Sequence, residues 1–126
     1  MKLSNQRILE DIQKLGEIAQ KQLPVKVSYA IAKNISKIEA ELKIYNNERE
    51  KLIDKYAEKD EHGEVIAYEN GQVKFKKGCL KAWHNDISDL LTIENEIDIH
   101  KFRIDELNGI NISPAEIKTI EYMIEE

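Results

Sequence analysis

The sequence predicts an α+β protein that is mainly helical, with an N-terminal helical hairpin, a small antiparallel sheet and a capped C-terminal helix. Three observations indicate this fold: a long series of apolar residues at alternating steps of 4 and 3, the dipeptide Asn70-Gly71, and the pair Ser113-Pro114. Steps of 4 and 3 line one face of a helix. Asn-Gly is typical of a β-hairpin turn, and a serine followed by proline is typical of a helix start.

A first helix is indicated by apolar residues at steps of 4, 3 and 4, namely Ile8, Ile12, Leu15 and Ala19. Ser4 or Asn5 can cap it, because either side chain accepts hydrogen bonds from the amides of the first turn. The helix should end before Pro24, which disfavours helical geometry in the residue ahead of it.

The stretch after Pro24 can be interpreted as a strand or as a helix. Val25, Val27 and Tyr29 alternate like a strand, but a longer series has a helical period of 3.5, namely Ile31, Ile35, Ile38, Leu42, Tyr45, Leu52 and Tyr56. A period of 3.5 is typical of a coiled coil. The sequence therefore predicts a long helix from Ser28 to Lys59, with Ser28 as its N-cap and Val25 to Val27 extended.

The predicted helices differ in length, since the second spans roughly 48 Å and the first roughly 28 Å. The far half of the long helix then lacks cover, and a stripe of that size is uncommon on a monomer. The predicted partner or dimer surface consists of Leu42, Tyr45, Arg49, Leu52 and Tyr56. Arg49 either fixes the register of a helix pair or extends its charged end into solvent. Either the rest of the chain or a second copy must cover this surface, and homodimerisation through the long helix is the favoured prediction.

The hairpin centres on Asn70-Gly71, which tolerate the positive φ angles of a type I′ turn. A two-residue loop places Tyr68 opposite Val73 and Ile66 opposite Phe75. A lone hairpin is marginal in water, so it needs a helix or further strands.

The second half of the chain also contains two helical patterns and one ambiguous stretch. Apolar spacing predicts a helix from Leu80 to about Glu94, and residues 95–107 fit a strand or a helix. The strand interpretation is favoured, because it gives the hairpin a third partner. A C-terminal helix follows, in which Ser113, Pro114 and Glu116 form a capping box and the predicted buried face is Ile117, Ile120 and Ile124. No internal repeat is evident.

The bulk composition indicates one domain over residues 1–126, with segments 1–60 and 61–126, and excludes several function classes. A net charge of −5 has the wrong sign for a general nucleic-acid binder. The single cysteine, Cys79, leaves no disulfide, and no apolar run approaches the ~20 residues that span a bilayer. The first residues also lack the apolar core of a signal peptide. The sequence predicts a cytoplasmic protein without a membrane partner.

No residue pattern indicates catalysis, a cofactor or a metal. The histidines His62, His84 and His100 lack a second ligand at metal-site spacing, and the acidic residues around His62 lack the spacing of a calcium loop. Lysines before Cys79 can lower a thiol pKa, but no base is placed beside it. The prediction is a protein that is not an enzyme and uses no cofactor.

One positive cluster lies on and after the hairpin, and its members are Lys74, Lys76, Lys77 and Lys81. Phe75 and Trp83 lie between these lysines, an arrangement that can stack single-stranded bases or hold an acidic partner. The favoured alternative is that both aromatic residues belong to the core and the lysines protect a sheet edge.

The blocks LPVKVSYAIAKN and SPAEI, with the ending MIEE, resemble an uncharacterised family of small phage and prophage proteins of low-GC bacteria. The resemblance covers nearly the whole chain and is weakest around KKGCLKAWHNDISD. That family has no established activity, so no catalytic residue is carried over. The resemblance implies a phage-encoded accessory protein in an infected cell or lysogen.

Three functions follow from these expectations. The first is a non-enzymatic protein-binding module that inhibits a bacterial defence protein, such as a CRISPR effector, and so binds a host protein. The second is a tail or virion morphogenesis protein with phage partners. The third is a single-stranded nucleic-acid binder that uses the hairpin lysines, which the net charge disfavours.

Overall fold

The computed structural model describes residues 1–125, and the predicted mainly helical α+β fold is confirmed. Its helices are α1 (Asn5–Ala19), α2 (Val25–Tyr56), α3 (Leu80–Thr92) and α4 (Pro114–Ile120). Its strands are β1 (Lys2–Ser4), β2 (Glu94–Glu96), β3 (Phe102–Arg103) and β4 (Ile124–Glu125).

The chain forms two compact units. Unit 1 contains Met1–Leu42 and the described residues from Glu94 onward, and unit 2 contains Lys43–Ile93. These units differ from the predicted segments 1–60 and 61–126, because the last quarter of the chain joins α1 and the first part of α2. The single domain over residues 1–126 stays a prediction.

Helix α1 begins and ends where local chemistry predicts. The Ser4 hydroxyl accepts a hydrogen bond of 3.1 Å from the Arg7 amide, which confirms Ser4 as the N-cap. The helix ends at Ala19, ahead of Pro24. It buries Ile8, Leu15 and Ile18 in unit 1.

Helix α2 begins at Val25, so the prediction of an extended Val25 to Val27 and an N-cap at Ser28 is wrong. The Ser28 amide donates to the Pro24 carbonyl at 2.9 Å, which continues the helical pattern back to the proline. Proline supplies no amide but can accept this bond through its carbonyl. Val27 is fully buried one turn before Ile31, and thus belongs to the helical face.

Unit 1 holds one apolar core, to which both N-terminal helices and the C-terminal segment contribute. Its buried residues are Leu3, Ile8, Leu15, Ile18, Val27, Ala30, Ile31, Ile38, Ile97, Phe102, Leu107, Ile120 and Met123. The buried Asn34 bonds both the amide and the carbonyl of His100, at 2.7 Å and 2.8 Å. This side chain thereby fixes the chain beside β3 to α2.

Residues 95–107 contain strand structure, but not as the third strand of the hairpin. Strand β1 pairs antiparallel with β2, and β3 pairs in parallel with β4. A 3-10 helix, Ile104–Leu107, follows β3. The predicted pairing was wrong, because the actual partners come from the two ends of the described chain.

In unit 2, residues 57–75 contain three short extended stretches, each of which is hydrogen-bonded to the other two, and we call them the three-way segment. The antiparallel bridges are Ala57↔Phe75, Lys59↔Val65 and Ala67↔Val73. The Glu58 amide donates to the Lys74 carbonyl at 2.8 Å, Lys74 donates to Ile66 at 2.9 Å, and Ile66 donates back to Glu58 at 2.9 Å. These three residues lie eight positions apart, and Gly63-Glu64-Val65 recurs as Gly71-Gln72-Val73. The segment therefore contains a short repeat that the sequence analysis missed.

The predicted type I′ turn at Asn70-Gly71 is wrong, although the chain does reverse there. Ala67 pairs with Val73, and the Gly71 amide donates to the Tyr68 carbonyl at 2.9 Å. Gly71 has a φ of 85°, but no other residue type among the described residues has a positive φ, whereas a type I′ turn needs two such residues. Asn70 instead accepts a side-chain bond from the Gln72 amide at 3.0 Å. The predicted register is therefore shifted by one residue.

The remaining helices follow the predicted signals closely. Helix α3 spans Leu80–Thr92, and α4 has the predicted capping box, with Ser113 and Glu116 bonded to each other's amides at 3.2 Å and 3.0 Å. Helix α4 ends at Ile120, so Ile124 lies in β4 rather than on the buried helical face.

Candidate binding groove

The two units differ sharply in how many apolar side chains they bury completely, although each also exposes large apolar residues. Of the fully buried apolar residues that the structure describes, thirteen lie in unit 1 and only Tyr45 and Ala57 in unit 2. Helix α3 has no fully buried residue, although it presents Leu, Ile and Trp at helical spacing. Unit 2 therefore leaves large apolar side chains half covered.

The predicted surface on the long helix is largely covered by its own chain. Tyr45 is 5% exposed, and Leu42, Leu52 and Tyr56 are partly buried, whereas Arg49 is exposed. The Tyr56 hydroxyl donates to the Asp86 carboxylate at 2.5 Å, and this bond raises the pKa of Tyr56. The rest of the chain therefore covers Tyr45, which is one of the two covers that the sequence left open. Homodimerisation through the stripe stays a prediction.

A groove with a volume of about 820 Å³ opens on unit 2. Its walls come from α2, the three-way segment and the start of α3, and its lining residues are Arg49, Ile53, Tyr68, Gly71, Gln72, Val73, Phe75, Lys76, Lys77, Gly78, Leu80, Trp83 and His84. The groove thus combines one long-helix residue, Arg49, with two lysines of the predicted positive cluster.

Aromatic and aliphatic side chains form much of the groove surface. The rings of Phe75 and Trp83 contact each other, with centroids 4.9 Å apart and an angle of 33° between their planes. Tyr68 and Leu80 are 54% and 52% exposed. Tyr68 lies at the turn, directly after the bridged residue Ala67, and its amide donates to the Gln72 carbonyl at 2.7 Å.

The charge of the groove is positive. None of the described lining residues is acidic, and Arg49, Lys76 and Lys77 take part in no ion pair formed among residues 1–125. Lys74 is different, because it lies 3.5 Å from the Glu58 carboxylate and outside the lining. Lys81 is exposed and also outside the lining. The predicted lysine cluster therefore divides, and only Lys76 and Lys77 face the groove.

An acidic residue near the groove is neutralised by lysine. Lys59 donates to the Asp54 carboxylate at 2.5 Å, and this hydrogen bond, with a smaller contribution from the charge of Lys76, lowers the pKa of Asp54. The carboxylate of Asp54 therefore forms its ion pair with Lys59 and not with a lysine of the groove.

A smaller groove lies on unit 1, beside Tyr29 and His100, whose rings meet edge to face at 5.5 Å. Its volume is about 430 Å³, and its lining mixes Lys26 and Arg103 with the carboxylates of Glu106 and Glu125. Mixed charges of this kind select no particular ligand charge.

Comparison of the chain with protein-family models, curated proteins and solved structures gives no match. The phage-family resemblance therefore rests on the quoted sequence blocks and stays a prediction.

The other chemistry-bearing residues do not converge. Residues 1–125 contain no group of three or more His, Cys, Asp or Glu side chains placed to hold a metal ion. Cys79 is a partly buried thiol at the start of α3, and His62 lies 3.6 Å from Glu61 in an exposed turn. No described helix is both long and apolar enough to cross a membrane.

Sequence reasoning named part of the groove and missed part of it. Arg49, Lys76 and Lys77 were predicted as site residues, and Phe75 and Trp83 were noted between the lysines. It missed Ile53, Tyr68, Leu80 and His84 as members of one site. The Gly-x-Val repeat is the available signal, because it indicates two turns of the same kind, the second of which contains Tyr68.

Proposed function

We propose that the protein is a non-enzymatic module that binds another protein through unit 2. The observation that carries this proposal is the contrast in buried core: unit 1 has thirteen fully buried apolar residues, while unit 2 fully buries only Tyr45 and Ala57 among the described ones, although both units also expose large apolar residues. Exposed apolar surface that is bordered by charged residues is typical of protein interaction sites. The groove is the concave part of that surface.

The resemblance to phage proteins supports a more specific setting. A small phage or prophage protein that acts by binding can inhibit a host protein by covering its functional surface. We therefore propose that the partner is a protein of a bacterial defence system, such as a CRISPR effector, and that binding occurs in the cytoplasm of the infected or lysogenic host.

The first experiment is affinity capture from a low-GC bacterial host with tagged full-length protein, followed by mass spectrometry. The test variant is Lys76→Glu with Lys77→Glu, which reverses two charges in the groove. The matched control is Lys14→Glu with Lys118→Glu, which makes the same charge change at exposed lysines of unit 1. We expect a partner that the wild type and the control capture and the groove variant loses.

The second experiment tests inhibition directly. Hosts with and without a defence locus express the wild type or either double variant, and the plating efficiency of a sensitive phage is measured. Wild type and control should raise plating only where the locus is present. Capture that is equal for all three proteins contradicts the use of unit 2, and recovery of the protein in purified virions favours the morphogenesis function instead.

A further inference from the structure

We infer that the groove on unit 2 binds an acidic protein segment that carries a large apolar side chain. This inference rests on the proposed function and specifies the chemistry of the partner. The groove pairs a cationic set, Arg49, Lys76 and Lys77, with an apolar surface that includes Leu80 and Trp83. A ligand that satisfies both features must carry carboxylates and an apolar group close together.

The cationic side chains set the sign of the ligand charge. Acidic residues make up 24 of 126 in the chain, yet none of the described residues that line the groove is acidic. The neighbouring Lys74 and Lys59 are already paired with Glu58 and Asp54, at 3.5 Å and 2.5 Å. The groove therefore concentrates positive charge that no ion pair among the described residues neutralises, with the charge of Lys76 acting at longer range on Asp54, and charge complementarity of this kind selects an anionic partner.

The apolar surface sets the second requirement. Leu80 is 52% exposed at the first position of α3, and Ile53 and Val73 line the same groove. Removing such side chains from water stabilises a complex in proportion to the apolar area buried. A volume of about 820 Å³ lies within the roughly 300–1,000 Å³ of pockets that enclose drug-sized ligands. A leucine, phenylalanine or tryptophan side chain of the partner can therefore enter it.

Single-stranded nucleic acid fits these observations less well than a protein segment does. The rings of Phe75 and Trp83 contact each other, with centroids 4.9 Å apart. Each ring therefore has one side occupied by the other ring, which leaves less aromatic surface on which a base can stack. The aliphatic lining residues also offer nothing to the polar edges of a base. Unit 2 as a whole has nine basic and ten acidic residues, so it offers a long polyanion no extended positive field, whereas a short acidic segment needs only the charge of the groove.

The test is selection of a displayed random library of 12-residue peptides on the full-length protein. Enriched peptides are synthesised with a fluorescent label, and their binding is measured by anisotropy at 50 mM and 200 mM salt. Labelled (dT)20 is measured in parallel. The fold of each variant is first checked by circular dichroism. A double variant that fails to fold is replaced by one of its two single substitutions.

We expect enriched peptides that combine several Asp or Glu residues with at least one Leu, Phe or Trp. Their affinity should fall at least tenfold for Lys76→Glu with Lys77→Glu and stay unchanged for Lys14→Glu with Lys118→Glu. The substitution Leu80→Ser should weaken binding at least threefold, and alanine in place of the apolar residue of the peptide should do the same.

Neutral or basic consensus peptides, an empty selection, or equal affinity for the groove variant would overturn the inference. Tighter binding of (dT)20 than of any peptide, lost in the groove variant, would overturn it in favour of nucleic acid. The proposed function has a separate readout: a host partner captured through unit 2 leaves that function standing even when no acidic peptide is selected.

Discussion

The replacement of Asn34 by alanine should destabilise unit 1 strongly, because this residue connects α2 to the chain beside β3. Asn34 is 0% exposed, and its side chain donates to the His100 carbonyl at 2.8 Å and accepts from the His100 amide at 2.7 Å. The side-chain amide thus takes the place of a neighbouring strand. Alanine removes both bonds and leaves two backbone groups without their partner.

The size of the effect follows from three contributions. Each hydrogen bond contributes about 1 kcal/mol net, and a backbone group left without a partner adds a penalty of about 1 kcal/mol where water cannot reach it. Alanine regains about 0.7 kcal/mol through its higher helix propensity. The expected net loss is roughly 2–3 kcal/mol, a large part of the ~5–15 kcal/mol by which domains are stable.

The assay is urea unfolding followed by circular dichroism at 222 nm. With a slope of ~2 kcal/mol per molar urea, the midpoint of Asn34→Ala should fall by about 1 M. The matched control is Asn46→Ala, which makes the same change at an exposed position of the same helix. That control should leave the midpoint unchanged or raise it slightly. Equal midpoints for the two variants would refute the role of Asn34.

Three further predictions concern a turn and two titrating groups. Gly71→Ala should lower the free energy of unfolding by about 1 kcal/mol, because Gly71 has a φ of 85°. Gly16→Ala should raise it by up to about 1 kcal/mol, because Gly16 lies in a helix and has open space at its Cβ. Thermal unfolding measures both changes. The amide of Ser113 lowers the pKa of Glu116. The stability that ionised Glu116 contributes should therefore be complete above pH 4.5 and lost as the pH falls through the lowered pKa. Glu116→Gln should remove that part of the acid dependence of unfolding. Burial raises the pKa of Tyr122 from 10.0 to about 12. The stability that the neutral phenol contributes should therefore be complete below pH 10 and lost between pH 10 and 12. In Tyr122→Phe, the free energy of unfolding should depend less on pH in that range, and absorbance at 295 nm should show one fewer late-titrating tyrosine.

The helix ends were predictable because their determinants are local. Ser4 caps α1, and Ser113 with Glu116 caps α4, through bonds that join residues three positions apart. Side chains that accept from nearby amides do so whatever the rest of the chain does. The start of α2 is misplaced because both a strand and a helix pattern fit residues 25–29. The hydrogen bond from Ser28 to Pro24 and the burial of Val27 distinguish them.

The strand pairs were not predictable from spacing alone. Leu3 pairs with Asn95, and Phe102 pairs with Ile124, so each two-stranded sheet joins segments that are distant along the chain. Alternating apolar residues indicate that a segment can be a strand, but they do not identify its partner. The register of the hairpin also required the structure, because Asn-Gly is compatible with more than one turn.

The sequence by itself determined the mainly helical fold, the N-caps of α1 and α4, the chain reversal at Gly71, and the residue types of the groove, among them Arg49, Lys76 and Lys77. All of these depend on interactions between near neighbours or on composition. The tertiary structure decided which positive charges face the groove and which are neutralised, as Lys74 is by Glu58. It also decided that Tyr45 is buried while Leu80 is exposed. Burial and ion pairing depend on segments that meet only in the folded chain, so the surface left for a partner is a property of the fold.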